Sequence, residues 1–417
     1  MNNINQLLLQ AQAAHNAANW QLLIQCLQQL TQQENSKNLE SLENQEKLLE
    51  LALSVLIMGD FQQRWEIAKV FVRLGAIAIS PLIEILTDEE AEEELRWYAA
   101  RLLGEFQQPE AIAALVELLK IEDDEELRTM AAAALGQMGT YAIAALTELL
   151  ADEQTRLLAV RSLCIIRHKE TIAPLLSVVD DPQISVRAAA IEALSSFHDE
   201  RVPTVLLRAL DDIATSVRRE AVLGLSFRPD LREPLDLVTR LQSKLYDFNL
   251  EVCCAAAVAL SRMGGDDAAK HLFQVLVSPH TPVKLQLETI RALCWMEMPS
   301  SLEYLRTALN QLESVTLWQE IVTVLGRVSN PQLASLAAEI LLAMLEQKHP
   351  AVEIAAIKRA IALSLGQLGR MEAIEPLTKL LADSDELVRL HAIAALKNLA
   401  PQGEWESGGW GDGGMGR

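Results

Sequence analysis

Arg96, Arg128, Arg156, Arg187 and Arg218 follow one another at intervals of 32, 28, 31 and 31 residues, and Arg389 stands in the same local setting far down the chain. Guanidinium groups repeated in this way could form a ladder for anions, since each presents a fixed fork of donors. Acidic residues stand close by in sequence, as at Asp180-Asp181 and Asp211-Asp212. Contacts between these acids and the arginines are the stronger expectation. Each would order a turn and contribute ~1 kcal/mol or less if exposed. Two acidic runs, Asp88-Glu89-Glu90-Ala91-Glu92-Glu93-Glu94 and Glu122-Asp123-Asp124-Glu125-Glu126, would stack along one edge as a negative ridge near Trp97. Such a ridge is expected to be solvated and to favour helix N-termini.

Other chemistry is sparse. The histidines, His168, His198, His271 and His391 among them, pair with no cysteine or carboxylate at metal-binding spacing, and no metal site is expected. Cys253 and Cys254 are adjacent, point to different helix faces and cannot comfortably chelate one ion. Cys26, Cys164 and Cys294 are scattered through apolar stretches, so the cysteines read as reduced core residues. Gly136-Gln137-Met138-Gly139 and Gly366-Gln367-Leu368-Gly369 lack the preceding strand and the lysine of a nucleotide-binding loop. Nothing in the spacing marks a nucleophile with its base, so no catalytic residue is assigned.

The elements that position these residues are copies of one unit, stated most cleanly at Asp180–Leu194. Asp180-Asp181-Pro182 is turn chemistry. Val186, Ala189, Ala190, Ala193 and Leu194 then recur at helical spacing, a narrow stripe of small residues that lets helices approach closely. The pattern returns around Arg96, Arg128, Arg218 and Arg389. Gly75, Gly104, Gly136, Gly326 and Gly366 fall near the ends of second helices, where left-handed caps are expected. Pro81, Pro174, Pro203, Pro234 and Pro376 are placed in the first turn of the following helix. Starts and stops of this kind predict an all-α solenoid of about ten helical pairs forming a curved superhelix.

Residues 1–58, rich in Gln and Asn yet helically periodic, read as an N-terminal helical cap with connections near Asn16–Asn19 and Glu34–Asn38. Residues 59–402 form the array, irregular near 227–250, where Arg228, Arg232, Arg240 and Lys244 make a basic island, and near 279–318. Residues 403–417 read as a flexible tail rich in Gly with two Trp. Hydrophobic residues are 50% of the chain but aromatics only 4%, so the core is aliphatic and alanine-rich. A net charge of −21 disfavours nucleic acid and anionic membrane as partners. With no signal peptide and no run of roughly 18 apolar residues, a cytoplasmic location without membrane insertion is expected.

The motif Asp-Pro-x-x-x-Val-Arg-x-x-Ala-x-x-Ala-Leu at residues 181–194, repeated with variations over roughly 60–400, resembles the HEAT-like repeats of the phycobilisome-lyase family of cyanobacteria. The likeness implies the solenoid fold. For function it implies either attachment or removal of an open-chain tetrapyrrole at a cysteine of a phycobiliprotein, or a related binding or chaperone role, with a second lyase-type subunit as a possible partner. No lyase-specific motif accompanies it.

In HEAT-like arrays the second helix of each pair lines the concave face. Positions three, four, six and seven after each arginine are assigned to the buried stripe, and positions one, two and five to the groove. The groove residues so named are Trp97, Tyr98 and Arg101; Thr129 and Met130; Leu157 and Arg161; Glu192; and Arg219 and Glu220, with His391 the one histidine at such a position. A bilin would need Arg or Lys for its propionates, a carboxylate for its pyrrole N–H groups and aromatic faces for its rings. A protein surface asks for the same residues. Protein contact is the preferred reading and no cofactor is required. A phycobilin as substrate of a catalytic lyase and a scaffold for an unrelated complex are the alternatives.

Overall fold

Small residues on one side of each second helix dictate the packing. Counting from each repeated arginine, positions three, four, six and seven are buried in every repeat from Arg96 to Arg218. They are Ala99, Ala100, Leu102 and Leu103 in the first, and Ala190, Ile191, Ala193 and Leu194 in the fourth. The computed structural model describes residues 2–32 and 42–399, and every regular element among them is helical. The expected connection at Glu34–Asn38 and the Gly/Trp tail lie outside the described residues.

The chain divides into two compact units, residues 1–205 and 206–417, with the division inside the helix Val202–Ala209. In the first unit, Asn2–Asn16, Trp20–Leu30 and Leu42–Met58 precede the second helices Phe61–Leu74, Glu93–Leu103, Glu125–Gln137, Arg156–Ile166 and Ile184–Leu194. Each second helix packs on the next, while the first helices Ile79–Thr87, Pro109–Ile121 and Ile143–Leu149 pack among themselves, giving two layers. The second unit repeats this scheme. Thr215–Ser226, Leu250–Met263, Val283–Trp295, Val315–Leu325, Ala355–Leu368 and Glu386–Leu399 form one layer. Leu237–Lys244, Gly265–Val277, Pro299–Gln311 and Pro331–Glu346 belong to the other. The fold is a HEAT-type α-solenoid.

The repeated arginine serves the turn, though not quite as its neighbours in sequence imply. Arg187 and Arg218 reach the backbone carbonyls of Asp181 and Asp212, at 2.8 and 2.9 Å, in the turn that follows the preceding first helix. Arg389 does the same at Asp383, 2.8 Å, and Arg96 at Leu86, 3.0 Å. Carbonyls of the turn, and at Leu86 of the last turn of a helix, thereby gain a charged donor. Carboxylate partners come instead from the turn of the following repeat: Glu122 for Arg96, Asp181 for Arg156 and Asp247 for Arg218. Lys358 takes the arginine's place against Asp383. Where the sequence departs from arginine, other donors stand in. Cys253 Sγ lies 3.2 Å from the Asp247 carbonyl, Gln286 Nε2 2.8 Å from that of Leu276 and Trp318 Nε1 3.2 Å from that of Leu309.

Several expectations are corrected. Gly104 and Gly326 have helical backbone, with φ −63° and −65°, and Gly136 and Gly366 lie within helices. Their role is close approach: a Cβ on Gly104 would sit 2.9 Å from Ala134 Cα, and one on Gly366 2.9 Å from Ala395 Cα. Left-handed geometry falls instead on Gly139 and Gly369, both at φ +67°. Pro234 lies in the turn before Leu237–Lys244 rather than in that helix. Most of the basic island is already paired: Arg228 with Asp230, Arg232 with Asp267 and Lys244 with Asp211, while Arg240 donates to the Leu235 carbonyl. Finally, the run Phe61–Thr87 is long and apolar enough to cross a membrane by length and composition alone. Gly75, at φ +71°, divides it into Phe61–Leu74 and Ile79–Thr87.

Candidate functional site

Once the stripe is buried and the arginine is tied to its turn, little of each second helix is left for outside contact. Positions one and five after the arginine carry most of it. In the first unit these positions are not uniform along the array. Its middle repeats offer Thr129 and Ala133, then Leu157 and Arg161, then Ala188 and Glu192. The first two second helices, Phe61–Leu74 and Glu93–Leu103, carry large rings and cations.

On Phe61–Leu74, Phe61 is 61% and Trp65 43% exposed. Asp60 starts that helix with a capping box, its carboxylate accepting from Gln63 N at 2.9 Å while Gln63 returns a bond to the Asp60 N–H. On Glu93–Leu103, Trp97 is half-buried, and Arg101, one turn further on, lies over the Trp65 ring at 3.9 Å from its centroid. Trp65 was absent from the groove residues named from sequence. Its signal was available, because Arg64 lies 32 residues before Arg96 and binds the Leu56 and Ile57 carbonyls as a member of the same ladder.

Tyr98 is a correction. It is 0% exposed, and its hydroxyl donates to the Phe61 carbonyl at 3.1 Å. Its ring meets Phe61 edge-on at 5.9 Å and Trp97 edge-on at 5.2 Å. It therefore holds the aromatic wall from behind rather than contacting a ligand. Burial, with the Glu94 carboxylate second, pushes its phenol pKa above the ordinary value.

Two clefts of about 410 Å³ each open beside this wall. One is lined by Phe61, Glu93, Glu94, Trp97, Tyr98, Asp124, Glu126 and Leu127. The other is lined by Trp65, Ala68, Lys69, Val72, Arg73, Arg101, Leu102 and Glu105. The first is acidic and aromatic, the second mainly basic. The acidic ridge expected near Trp97 thus contributes to a cleft as well as to helix starts.

The remaining named residues are placed as follows. Thr129 is exposed and Met130 half-buried; Leu157 is half-buried and Arg161 exposed; Glu192 is exposed. Arg161 and Glu192 both act on Cys164. Burial first and the Glu192 carboxylate next push that thiol up to about 12, with Arg161 opposing. In the second unit, Arg219 and Glu220 are neighbours paired at 2.9 Å. His391 Nδ1 lies 2.7 Å from the Leu387 carbonyl of its own helix. No group of three or more His, Cys, Asp or Glu placed to hold a metal occurs among the described residues. A cleft of about 650 Å³ in the second unit is bordered by Arg306, already paired with Glu339 at 2.6 Å, and by Arg370, bonded to the Pro331 carbonyl.

Comparison with known proteins bears on the fold. Residues 79–157, 143–226 and 353–404 match the family of HEAT repeats. Among solved structures, the chain is similar to Kap121p bound to Pho4p, at TM-score 0.57 and 16% identity over 95% of this chain and 49% of that one. It is likewise similar to Kap121p bound to Nup53p, at 0.56 and 17% over 96% and 49%. The chain thus spans about half the length of Kap121p. Human deoxyhypusine hydroxylase aligns over 62% of this chain and 95% of its own, with 20% identity and a TM-score of 0.28. No curated protein matches.

Proposed function

We propose that this chain is a protein-binding HEAT-repeat scaffold that engages its client through Phe61, Trp65, Trp97 and Arg101 on the second helices of the first unit. The observation that carries this reading is the outward display of Phe61 and Trp65, with Trp97 and Arg101 beside them, where the corresponding positions of the next three second helices carry no aromatic ring. Tyr98 anchors that wall from the core, so little side-chain entropy is lost when a partner covers it. Trp and Arg are the side chains that concentrate binding energy at protein interfaces. Solenoids of this type present such faces without the need for a catalytic centre. Binding of protein partners by Kap121p, as its complexes with Pho4p and Nup53p record, is compatible with this use of the fold.

The finer proposal is that the client is a phycobiliprotein, handled by a lyase-like subunit or chaperone. It rests on the Asp181–Leu194 motif alone. Immobilised full chain should recover phycobiliprotein subunits from a cyanobacterial lysate, and the W65A/W97A double variant should lose them. Recovery undiminished in that variant would refute the site. A client set lacking phycobiliproteins but sensitive to W65A/W97A would refute the finer proposal alone.

A second reading, direct bilin transfer, is favoured only by the Lys69, Arg73 and Arg101 cations that line one cleft with the Trp65 ring, which match two propionates and a flat conjugated face. Co-expression with a bilin and an apo-phycobiliprotein must then yield a covalent fluorescent adduct that is absent without this chain.

A further inference from the structure

The two clefts of the first unit share the helices Phe61–Leu74 and Glu93–Leu103, the acidic one extending to the start of Glu125–Gln137, and they carry opposite charge. In the acidic cleft, Glu94 is matched by Arg64 at 3.1 Å, and Asp124 accepts from the Leu127 N–H at 2.6 Å as a helix cap. Glu93 and Glu126 have no such commitment among the described residues and are exposed beside the Phe61 and Trp97 rings. Aromatic faces with free carboxylates at their edge are the chemistry that receives an ammonium or guanidinium group. In the basic cleft, Glu105 already accepts from Gln137 at 2.7 Å, whereas Lys69 and Arg101 have no carboxylate within ion-pair distance among the described residues. A carboxylate fits there.

We infer that these clefts together recognise a dipolar protein segment, one in which a lysine or arginine and an aspartate or glutamate stand side by side on one face. Trp97 and Arg101 are four residues apart on one helix, ~6 Å along its axis. That matches side chains two residues apart in an extended segment or four apart in a helical one. The cation enters between Phe61 and Trp97 and the anion meets Lys69 and Arg101. A small organic cation would satisfy only the first half, which is why a peptide is the expected occupant. The inference rests on the proposed client-binding role of this face and names the class of segment it takes.

Selection of peptides from a random phage-displayed library on the full chain tests it. The selected sequences should be enriched in Lys or Arg placed two or four residues from Asp or Glu. A synthetic member of that set should lose at least about tenfold in affinity to the E93Q/E126Q variant and similarly to K69Q/R101Q. Both variants change exposed or half-buried side chains, E93Q/E126Q without altering their size, and circular dichroism checks their fold. Peptides that depend on Trp65 and Trp97 but carry no such charge pair would overturn this inference and leave the client-binding face standing. Peptides indifferent to W65A/W97A, or no enrichment at all, would overturn both. Spermidine competing as well as the peptide does would assign the acidic cleft to small cations and overturn the inference.

Discussion

The Arg218 guanidinium holds the Asp247 carboxylate by two bonds, Nε to Oδ2 at 2.7 Å and Nη2 to Oδ1 at 2.8 Å, across 29 residues of sequence. Its remaining nitrogen, Nη1, binds the carbonyls of Asp212 and Ile213. One side chain thus closes its own turn and fastens the next repeat to it. Arg96 and Arg156 do the same with Glu122 and Asp181. A ladder so occupied is scaffolding rather than a line of open anion sites.

Removing Asp247 should therefore be costly, because Arg218 is left with a half-buried charge and no carboxylate. D247A is expected to destabilise the second unit by about 3 kcal/mol, and R218A/D247A by less than the sum of the single changes. Hydrogen exchange over residues 206–263 measures this locally, which suits an array that need not unfold in one step. Additive effects would refute the coupling.

Close approach at glycine makes a second prediction. A Cβ on Gly326 would lie 2.5 Å from Ser364 Cβ and 2.8 Å from its Cα, so the helices Val315–Leu325 and Ala355–Leu368 would have to part. G326A should cost about 1–3 kcal/mol despite the better helix propensity of alanine. A neutral or stabilising result in urea denaturation would show that the contact relaxes freely.

Acid should loosen the ladder. Asp247 and Asp383 are held below their ordinary pKa, chiefly by hydrogen bonds from Arg218 and Lys358. At Glu122 burial pushes upward, but the Asp124 backbone N–H and Arg96 outweigh it and the net shift is down. These groups bind protons more readily unfolded than folded. Their contribution is complete above the ordinary carboxylate value of about 4 and is lost as pH falls through the depressed folded values. The urea midpoint should drop below about pH 4, and less steeply in R218A/D247A. The same slope in both proteins would contradict the assignment of Asp247.

Tyr98→Phe isolates the support behind the aromatic wall. Losing the bond to the Phe61 carbonyl should cost about 1 kcal/mol and weaken client binding only slightly, whereas Trp97→Ala should weaken it strongly. The reverse order would return Tyr98 to the contact surface.

The buried stripe was legible because a helix imposes its period on the chain, and positions three, four, six and seven after the arginine are buried from Arg96 through Arg218. Which acid each arginine would meet was not. Asp212 is near Arg218 in sequence, but its backbone, not its carboxylate, is what Nη1 reaches, and Asp247 arrives only through stacking of the next repeat. Gly104 and Gly366 were misread for a related reason: a glycine near a helix end serves a cap or a close neighbour equally well, and only the adjacent helix decides. Tyr98 shares its position in the repeat with the half-buried Met130 and Glu220 but is drawn inward by the Phe61 carbonyl, a partner from another repeat. Trp65 follows Arg64, whose setting Asp60-Phe61-Gln62-Gln63-Arg64 lacks the Val-Arg or Leu-Arg pair that marks most of the other rungs in sequence.

Hydrogen exchange of the full chain with and without a client isolated by affinity from its source cells tests the client-binding face most directly. Protection is predicted over Phe61–Leu74 and Glu93–Leu103 and should vanish when W65A/W97A replaces the native chain. Protection confined to other helices, with these two unchanged on saturation, would contradict the account.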